Sequence, residues 1–304
     1  MSAQGEKGTR ISIQTPLILR LSSPEEVGEW CAKEIARVVN SKNEKGEKCT
    51  LGLCTGSTPI PTYKALQTIF RKGEIDFSNT TTYNLDEYVD IPPSHPESYC
   101  SFMFQKLFID DLMYSDKNPR GFHKDRIHIP CGYAKEPKFL TEKEKAILAS
   151  PSEITEDEEE QILALRAREY EDAIASEGGV DLQILGIGHN GHIGFAEPNS
   201  PFDGETMLVS LEPSTREANA RFFDDDIDKV PKFALTMGVG SILSSKRIIL
   251  LATGRRKREI IEKVLSLSKP NIAISASALL LHNDATVVVD AEALSEEMFD
   301  KLTE

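Results

Sequence analysis

The sequence predicts an α/β fold built on a parallel sheet with helices on both faces. Short apolar runs alternate with amphipathic helical segments along most of the 304 residues. Polar, glycine-containing loops follow several of these runs. Strand–helix alternation produces a parallel sheet that helices cover on both sides. Ligands of such sheets bind at the carboxyl ends of the strands, so the loops after the strands are the expected functional regions.

Each predicted element rests on an apolar run or a helix-start signal. A strand at 15–21 is followed by Ser23, Pro24 and Glu26, which together predict a helix start with a serine cap, an N-terminal proline and a capping box. Apolar runs predict further strands at 48–54, 80–85, 126–130, 180–188, 247–254 and 285–290. Helices are predicted at 59–70, at 98–108, from about 157 to 176, and after each of the last two strands.

Charge and cysteine content restrict the class of protein. The net charge of −14 argues against nucleic acid as a partner, but a local cationic cluster can still hold a small anion. The five cysteines are scattered and form no CxxC pair, which argues against both a disulfide framework and a metal site. The start of the chain (1–14) is a polar tail without an apolar core, and no run has the length of a membrane span. A cytoplasmic protein without a membrane partner is therefore predicted.

The stretch LGIGHNGHIGFAEP (185–198) is the strongest candidate for an active-site loop. It follows a predicted buried strand and carries His192 and Glu197, a pair suited to proton transfer. A histidine that is merely hydrogen-bonded at a loop corner is the alternative. The glycines also fit the dinucleotide pattern G-x-G-x-x-G. Pro198 and Pro201 exclude the helix that this pattern needs, so no nucleotide cofactor is predicted.

A second candidate loop, Thr55-Gly56-Ser57-Thr58, lies between a predicted strand and a predicted helix. Hydroxyls and free backbone N–H groups at a helix start favour an anion. An ordinary strand-to-helix turn is the alternative.

Two adjacent carboxylates, Asp86 and Glu87, follow the predicted strand 80–85. Burial can raise a carboxylate pKa towards neutrality, so either residue is a candidate general base. A helix-capping or solvated acidic pair is equally compatible with the pattern.

Two basic clusters complete the candidate residues. Four consecutive cations, residues 255–258, are predicted on the first turn of a helix, where the helix dipole disfavours them unless an anion binds. Arg216 and Arg221 lie in the segment 210–223, and Arg221 is suited to bidentate phosphate binding. A surface salt bridge is the alternative for Arg221.

The segment 134–160 departs from the alternating pattern. It is rich in charge and poor in large apolar residues, which predicts a partly helical surface insertion that contributes little to the core.

Taken together, these segments resemble the glucosamine-6-phosphate deaminase (isomerase) family. The resemblance spans about 16–290 and is carried by LGLCTGSTPIPTYKAL, TYNLDEYVDIPPSHPESYCSFM, LGIGHNGHIGFAEP, STREANARFFDDDIDKVPKFALTMGVGSIL and the ATG-x-x-K element that ends at Lys257. It implies a single Rossmann-like domain that converts D-glucosamine 6-phosphate and water to D-fructose 6-phosphate and ammonia, without metal or nucleotide. Members range from monomers to hexamers, so a homo-oligomer is compatible with it.

The resemblance also implies roles for individual residues. Asp86 would move a proton between C2 and C1. His192 would assist ring opening, with Glu197 orienting it and Asn190 positioning the group through hydrogen bonds. Thr55, Gly56, Ser57, Thr58, Arg221 and Lys257 would hold the phosphate, and about 207–234 would form a lid.

Two other functions are weaker fits. A 6-phosphogluconolactonase shares the fold and a glycine–histidine loop, but the LDEY and FAEP segments favour the deaminase. A related sugar-phosphate-sensing transcriptional regulator predicts an N-terminal helix-turn-helix module, whereas only a short polar tail precedes the first predicted strand.

Overall fold

The computed structural model describes residues 15–109, 112–114, 118–150 and 153–303; the predicted polar tail lies outside these ranges. Its strands are β1 (Leu17–Leu21), β2 (Cys49–Leu53), β3 (Thr80–Asn84), β4 (Asp86–Tyr88), β5 (Ile127–His128), β6 (Leu182–Leu185), β7 (Met207–Ser210), β8 (Phe233–Thr236), β9 (Ile248–Ala252) and β10 (Ala285–Asp290). Its helices are α1 (Pro24–Glu44), α2 (Ile60–Arg71), α3 (Tyr99–Lys106), α4 (Glu142–Lys145), α5 (Glu156–Ser176), α6 (Pro213–Asn219), α7 (Val239–Leu243), α8 (Arg258–Leu265) and α9 (Glu296–Thr303).

Seven strands form one sheet in the order β1-β10-β9-β6-β2-β3-β5. Every pairing within it is parallel. All residues of β9 and β10 are buried, as a strand covered on both faces requires. The predicted α/β fold with a parallel sheet is therefore confirmed. Within the described ranges, no helix is long and apolar enough to cross a bilayer.

Helix starts follow the predicted signals with small differences. Ser23 caps α1 by accepting a hydrogen bond from the Glu26 N–H at 3.2 Å. The Glu26 carboxylate accepts from the N–H of Ser22 rather than from that of Ser23, so only half of the predicted capping box forms. The predicted strand at 126–130 is reduced to β5 because a 3₁₀ turn occupies 124–126.

A second, three-stranded antiparallel sheet has the order β4-β8-β7 and was not predicted. It begins at Asp86, immediately after β3, and pairs Asp86 with Thr236. A separate hydrophobic cluster packs around this sheet and consists of Tyr88, Phe195, Leu211, Phe223, Val230 and Ala234. The second sheet therefore joins the Asp86 segment to residues 207–236.

The predicted insertion, 134–160, is tied to α5 by a small cluster of its own. Leu140 and Ala134 are buried against Ile162 of α5. The Glu144 carboxylate lies 2.6 Å from the Arg166 guanidinium, with side-chain exposures of only 3% and 9%. The apolar residues of this cluster lie outside the main core.

Candidate active site

The predicted functional loops follow four strands that are neighbours in the sheet, in the order β9-β6-β2-β3. Because these strands are parallel, their carboxyl ends lie at one edge. That edge gathers the Thr55–Thr58 loop after β2, Asp86 after β3, the 186–198 loop after β6 and Lys257 after β9. Loops distant in sequence therefore lie together at one edge of the sheet.

Asp86 and Glu87 have different environments although they are adjacent. The Glu87 carboxylate accepts hydrogen bonds from the backbone N–H groups of Tyr88, Tyr99 and Cys100 at 2.8–2.9 Å, two of which are at the start of α3. Glu87 is therefore a buried cap of α3. Asp86 is only 6% exposed, and no group in the described part of the chain donates a hydrogen bond to it.

Burial is the main reason that the Asp86 pKa is raised to about 8, and the nearby Glu87 carboxylate adds to the effect. Burial also raises the pKa of Glu87, to about 7, against the opposing effect of its three N–H donors. A carboxyl with a pKa near neutrality can both accept and return a proton. The pKa values do not separate the two carboxyls, but Glu87 is held by three N–H donors, whereas Asp86 has no donor among the described residues and is the better candidate for a general base.

The glycines of the 186–198 loop allow close approaches that a side chain would prevent. A Cβ on Gly188 would lie 2.3 Å from the His192 ring, so the imidazole packs directly on the Gly188 backbone. Gly194 has φ +58°, and a Cβ there would lie 3.0 Å from Thr236 Oγ1 and 3.6 Å from Asp86 Oδ2. The loop therefore passes directly beside Asp86.

His192 and Glu197 lie together, as the sequence predicts. His192 Nδ1 is 3.4 Å from Glu197 Oε2, which is an ion-pair distance without the alignment of a hydrogen bond. Asn190 Nδ2 donates to Glu197 Oε2 at 3.0 Å, and Asn190 Oδ1 accepts from the His192 N–H at 3.2 Å. Burial opposes ionisation of Glu197, but contacts with His192, Thr215 and Asn190 outweigh it and lower its pKa to about 2.

Two cations lie at this edge without a carboxylate partner in the described part of the chain. Lys257 Nζ donates to the carbonyl of Ile187 at 2.5 Å, and Arg221 lies over the Phe222 ring. Burial lowers the Lys257 pKa, and the Arg221 charge lowers it further. Two like charges this close favour a bound anion.

The Thr55–Thr58 loop connects β2 to α2 and is partly exposed. The Tyr99 hydroxyl contacts Thr55, which links this loop to the start of α3. Its hydroxyls and the first N–H groups of α2 lie at the same strand edge as Lys257. An anion at this edge could therefore contact both the Thr55–Thr58 loop and Lys257.

Arg216 and Arg258, which the sequence also suggested for anion binding, have structural contacts instead. Arg216 donates to the carbonyls of Ile227 and Val230, which makes it a structural residue of the segment 207–234. Residues 255–257 form a 3₁₀ turn ahead of α8, and Arg258 donates to the carbonyls of Ala291 and Glu292. Of the four consecutive cations, Lys257 contacts the 186–198 loop.

Sequence reasoning missed two groups that contact Glu197. The backbone N–H of Glu212 donates to Glu197 Oε1 at 3.3 Å, and the buried hydroxyl of Thr215 lies against the same carboxylate. Both belong to the segment 207–234, so no local pattern in the 186–198 loop could reveal them. Among the described residues, no three His, Cys, Asp or Glu side chains are grouped as a metal site.

The fold and the candidate site define a parallel α/β protein with carboxyl, imidazole and amine side chains gathered at the carboxyl edge of its sheet. The family model of "Glucosamine-6-phosphate isomerases/6-phosphogluconolactonase" matches residues 22–288. The chain therefore belongs to this family.

Individual relatives agree with the family match. The chain is 40% identical over 267 residues to a glucosamine-6-phosphate deaminase of Thermoanaerobacter sp. (strain X514), covering 88% of this chain and 91% of the relative. It is 39% identical over 276 residues to glucosamine-6-phosphate deaminase 2 of Bacillus subtilis (strain 168), covering 90% and 96%. A solved structure described as a monomeric glucosamine-6-phosphate deaminase has 36% identity and a TM-score of 0.75, with 91% and 98% coverage.

More distant structures share the fold. The 6-phosphogluconolactonase from Trypanosoma cruzi has 18% identity and a TM-score of 0.64, with 94% of this chain and 98% of that chain covered.

Proposed function

We propose that this protein is a glucosamine-6-phosphate deaminase, which converts D-glucosamine 6-phosphate and water to D-fructose 6-phosphate and ammonia in amino-sugar catabolism. The observation that carries the proposal is Asp86, a buried carboxyl with its pKa raised to about 8 that lies beside the loop carrying His192 and Glu197. Moving a proton between adjacent carbons needs one group that both takes and returns it. The relatives named deaminases support the same reaction.

In this proposal, binding and chemistry are separated in space. Thr55, Gly56, Ser57, Thr58, Arg221 and Lys257 hold the phosphate, which supplies binding energy away from the reacting carbons. His192 assists opening of the pyranose ring, while Glu197 and Asn190 hold its orientation. Asp86 then transfers the proton between C2 and C1, water adds at C2, and ammonia leaves.

We also propose that the segment 207–234 closes over the bound sugar. Its contacts with Glu197 through Glu212 and Thr215 support this proposal, since closure would then act directly on the His192–Glu197 pair. The Asn219 amide donates to the Tyr88 hydroxyl at 3.0 Å, which ties the same segment to the strand that carries Asp86.

The proposed reaction takes place in the cytoplasm, where its phosphorylated substrate is retained. All five cysteines are free, which fits a reducing compartment. A homo-oligomer is a further proposal, and sedimentation equilibrium of the purified chain tests it. A mass equal to one chain would contradict it.

The deciding experiment incubates purified protein separately with glucosamine 6-phosphate and with 6-phosphogluconolactone. Ammonia, fructose 6-phosphate and lactone loss are measured. We expect ammonia and fructose 6-phosphate in equal amounts from the amino sugar. Lactone loss above the uncatalysed rate, with no ammonia from the amino sugar, would instead identify a 6-phosphogluconolactonase.

A further inference from the structure

A second histidine, His189, lies in the loop that carries His192 and has no role in the mechanism above. It follows Gly188 in the loop after β6, and its side chain is exposed. Its ring is perpendicular to that of His192, with 6.3 Å between the ring centroids. His189 therefore lies next to the residue to which the proposed function assigns ring opening.

Three ionisable residues lie near His189, namely His192, Glu197 and Lys257. Lys257 reaches the same loop, because its Nζ donates to the Ile187 carbonyl two residues before His189. Partial burial lowers the His189 pKa, the neighbouring His192 and Lys257 lower it further, and Glu197 opposes them. These surroundings favour a neutral His189 imidazole.

An anion placed against Lys257 would reverse this balance. A phosphate carries up to two negative charges and accepts several hydrogen bonds. Its charge would offset the repulsion from Lys257 and His192, and an imidazolium would form a charge-assisted hydrogen bond with it.

We propose that His189 is a substrate-binding residue that contacts the phosphate group next to Lys257 and takes up a proton when the anion binds. The inference rests on the proposed function for the identity of the sugar phosphate, but the phosphate contact itself does not depend on turnover. It adds a pH-dependent contact to a clamp that otherwise consists of fixed cations and hydroxyls.

Steady-state kinetics of His189→Gln tests the contact, because glutamine keeps a hydrogen-bond donor but cannot become cationic. At about pH 6 we expect KM to rise about fivefold with kcat within about twofold, and at about pH 8.5 we expect KM to equal that of wild type. His123→Gln is the matched control. His123 is exposed and precedes β5 at the amino end of the sheet, opposite the site.

Calorimetry with inorganic phosphate provides a readout that needs no turnover. Titrations in two buffers of different ionisation enthalpy give the number of protons taken up on binding. We expect wild type and His123→Gln to take up more protons than His189→Gln and His189→Asn. The ionisation of phosphate itself is common to all four proteins, so it cancels in the difference.

Equal proton uptake in all four proteins, or a KM of His189→Gln that matches wild type across the pH range, would overturn the proposal. The two proposals fail separately. A difference in phosphate-linked proton uptake without ammonia release would retain His189 as an anion contact and reject the deaminase. Ammonia release with unchanged uptake would retain the deaminase and reject the role of His189.

Discussion

The Asn190 amide lies between His192 and Glu197, because its Nδ2 donates to Glu197 Oε2 at 3.0 Å. Its Oδ1 accepts from the backbone N–H of His192. One neutral side chain therefore fixes the loop at His192 and the orientation of the Glu197 carboxylate.

Replacing the Asn190 amide by a carboxylate tests whether this residue acts through its hydrogen bonds alone. We expect Asn190→Asp to remain active, with the acidic limb of its pH–rate profile moved to higher pH, because an added anion favours the protonated form of neighbouring groups. Asn190→Ala is the control, since it removes the hydrogen bonds without adding charge. An unmoved or lowered limb in Asn190→Asp would contradict the interpretation.

Asp86→Asn should reduce kcat by about 10³-fold or more while substrate still binds, because the amide cannot accept a proton. In wild type we expect kcat/KM to rise with pH through about 8, as the Asp86 carboxyl ionises. Glu87→Gln is the comparison, and it should keep measurable turnover because Glu87 caps α3. Near-normal turnover in Asp86→Asn would transfer the base role to Glu87.

Asp86→Asn should also increase the stability of the protein at high pH. The Asp86 pKa lies at about 8 in the folded protein and at 3.8 ordinarily, so ionisation is disfavoured by folding. The free energy of unfolding of wild type therefore falls as pH rises from 3.8 to about 8. That of Asp86→Asn does not, because asparagine does not ionise. Thermal melts should show a Tm advantage for Asp86→Asn that grows between these two pH values. A constant difference would show that Asp86 does not titrate abnormally.

Lys257→Ala and Arg221→Ala should each raise KM for the phosphorylated sugar by about tenfold, with a much smaller change in kcat. Contacts made equally in the ground and transition states affect binding alone. The exposed Arg255 lies in the same turn as Lys257, so Arg255→Ala is the matched control. If Lys257→Ala and Arg221→Ala had the same wild-type KM as the control, the phosphate would have to bind elsewhere.

The insertion 134–160 contributes stability through one buried ion pair. Glu144→Gln leaves the Arg166 guanidinium without its carboxylate at a nearly unexposed position. Removing one partner of such a pair costs about 3 kcal/mol, so we expect a clearly lower Tm. The double variant Glu144→Met with Arg166→Met should recover much of the loss.

An exposed pair nearby provides the control for this prediction. Lys143 and Glu169 also join the insertion to α5, but their side chains are 77% and 40% exposed. Lys143→Gln should leave Tm unchanged, because solvent screens the pair. A similar Tm loss in Lys143→Gln and Glu144→Gln would show that burial does not determine the effect. Replacing 137–155 by a Gly/Ser linker, which composition alone predicts to be harmless, should then lower Tm as well.

The sequence by itself determined the local features. Consecutive apolar residues specify strands buried on both faces, and β10 spans the predicted residues, 285–290. Ser23 specifies a helix start because its side chain bonds an N–H three residues away. The loops with Thr55, Asp86 and His192 were also predictable, because each is a short polar motif directly after an apolar run.

Tertiary structure alone decided how those features combine. The strand order β9-β6-β2-β3 brings Lys257 to the Ile187 carbonyl, and no local pattern encodes that order. The difference between Asp86 and Glu87 depends on N–H groups at the start of α3, which donate to Glu87, whereas no group in the described ranges donates to Asp86. The pairing of β4 with β8 is likewise non-local. Burial, electrostatic shifts and strand pairing depend on residues far apart in sequence, so they arise only once the chain has folded.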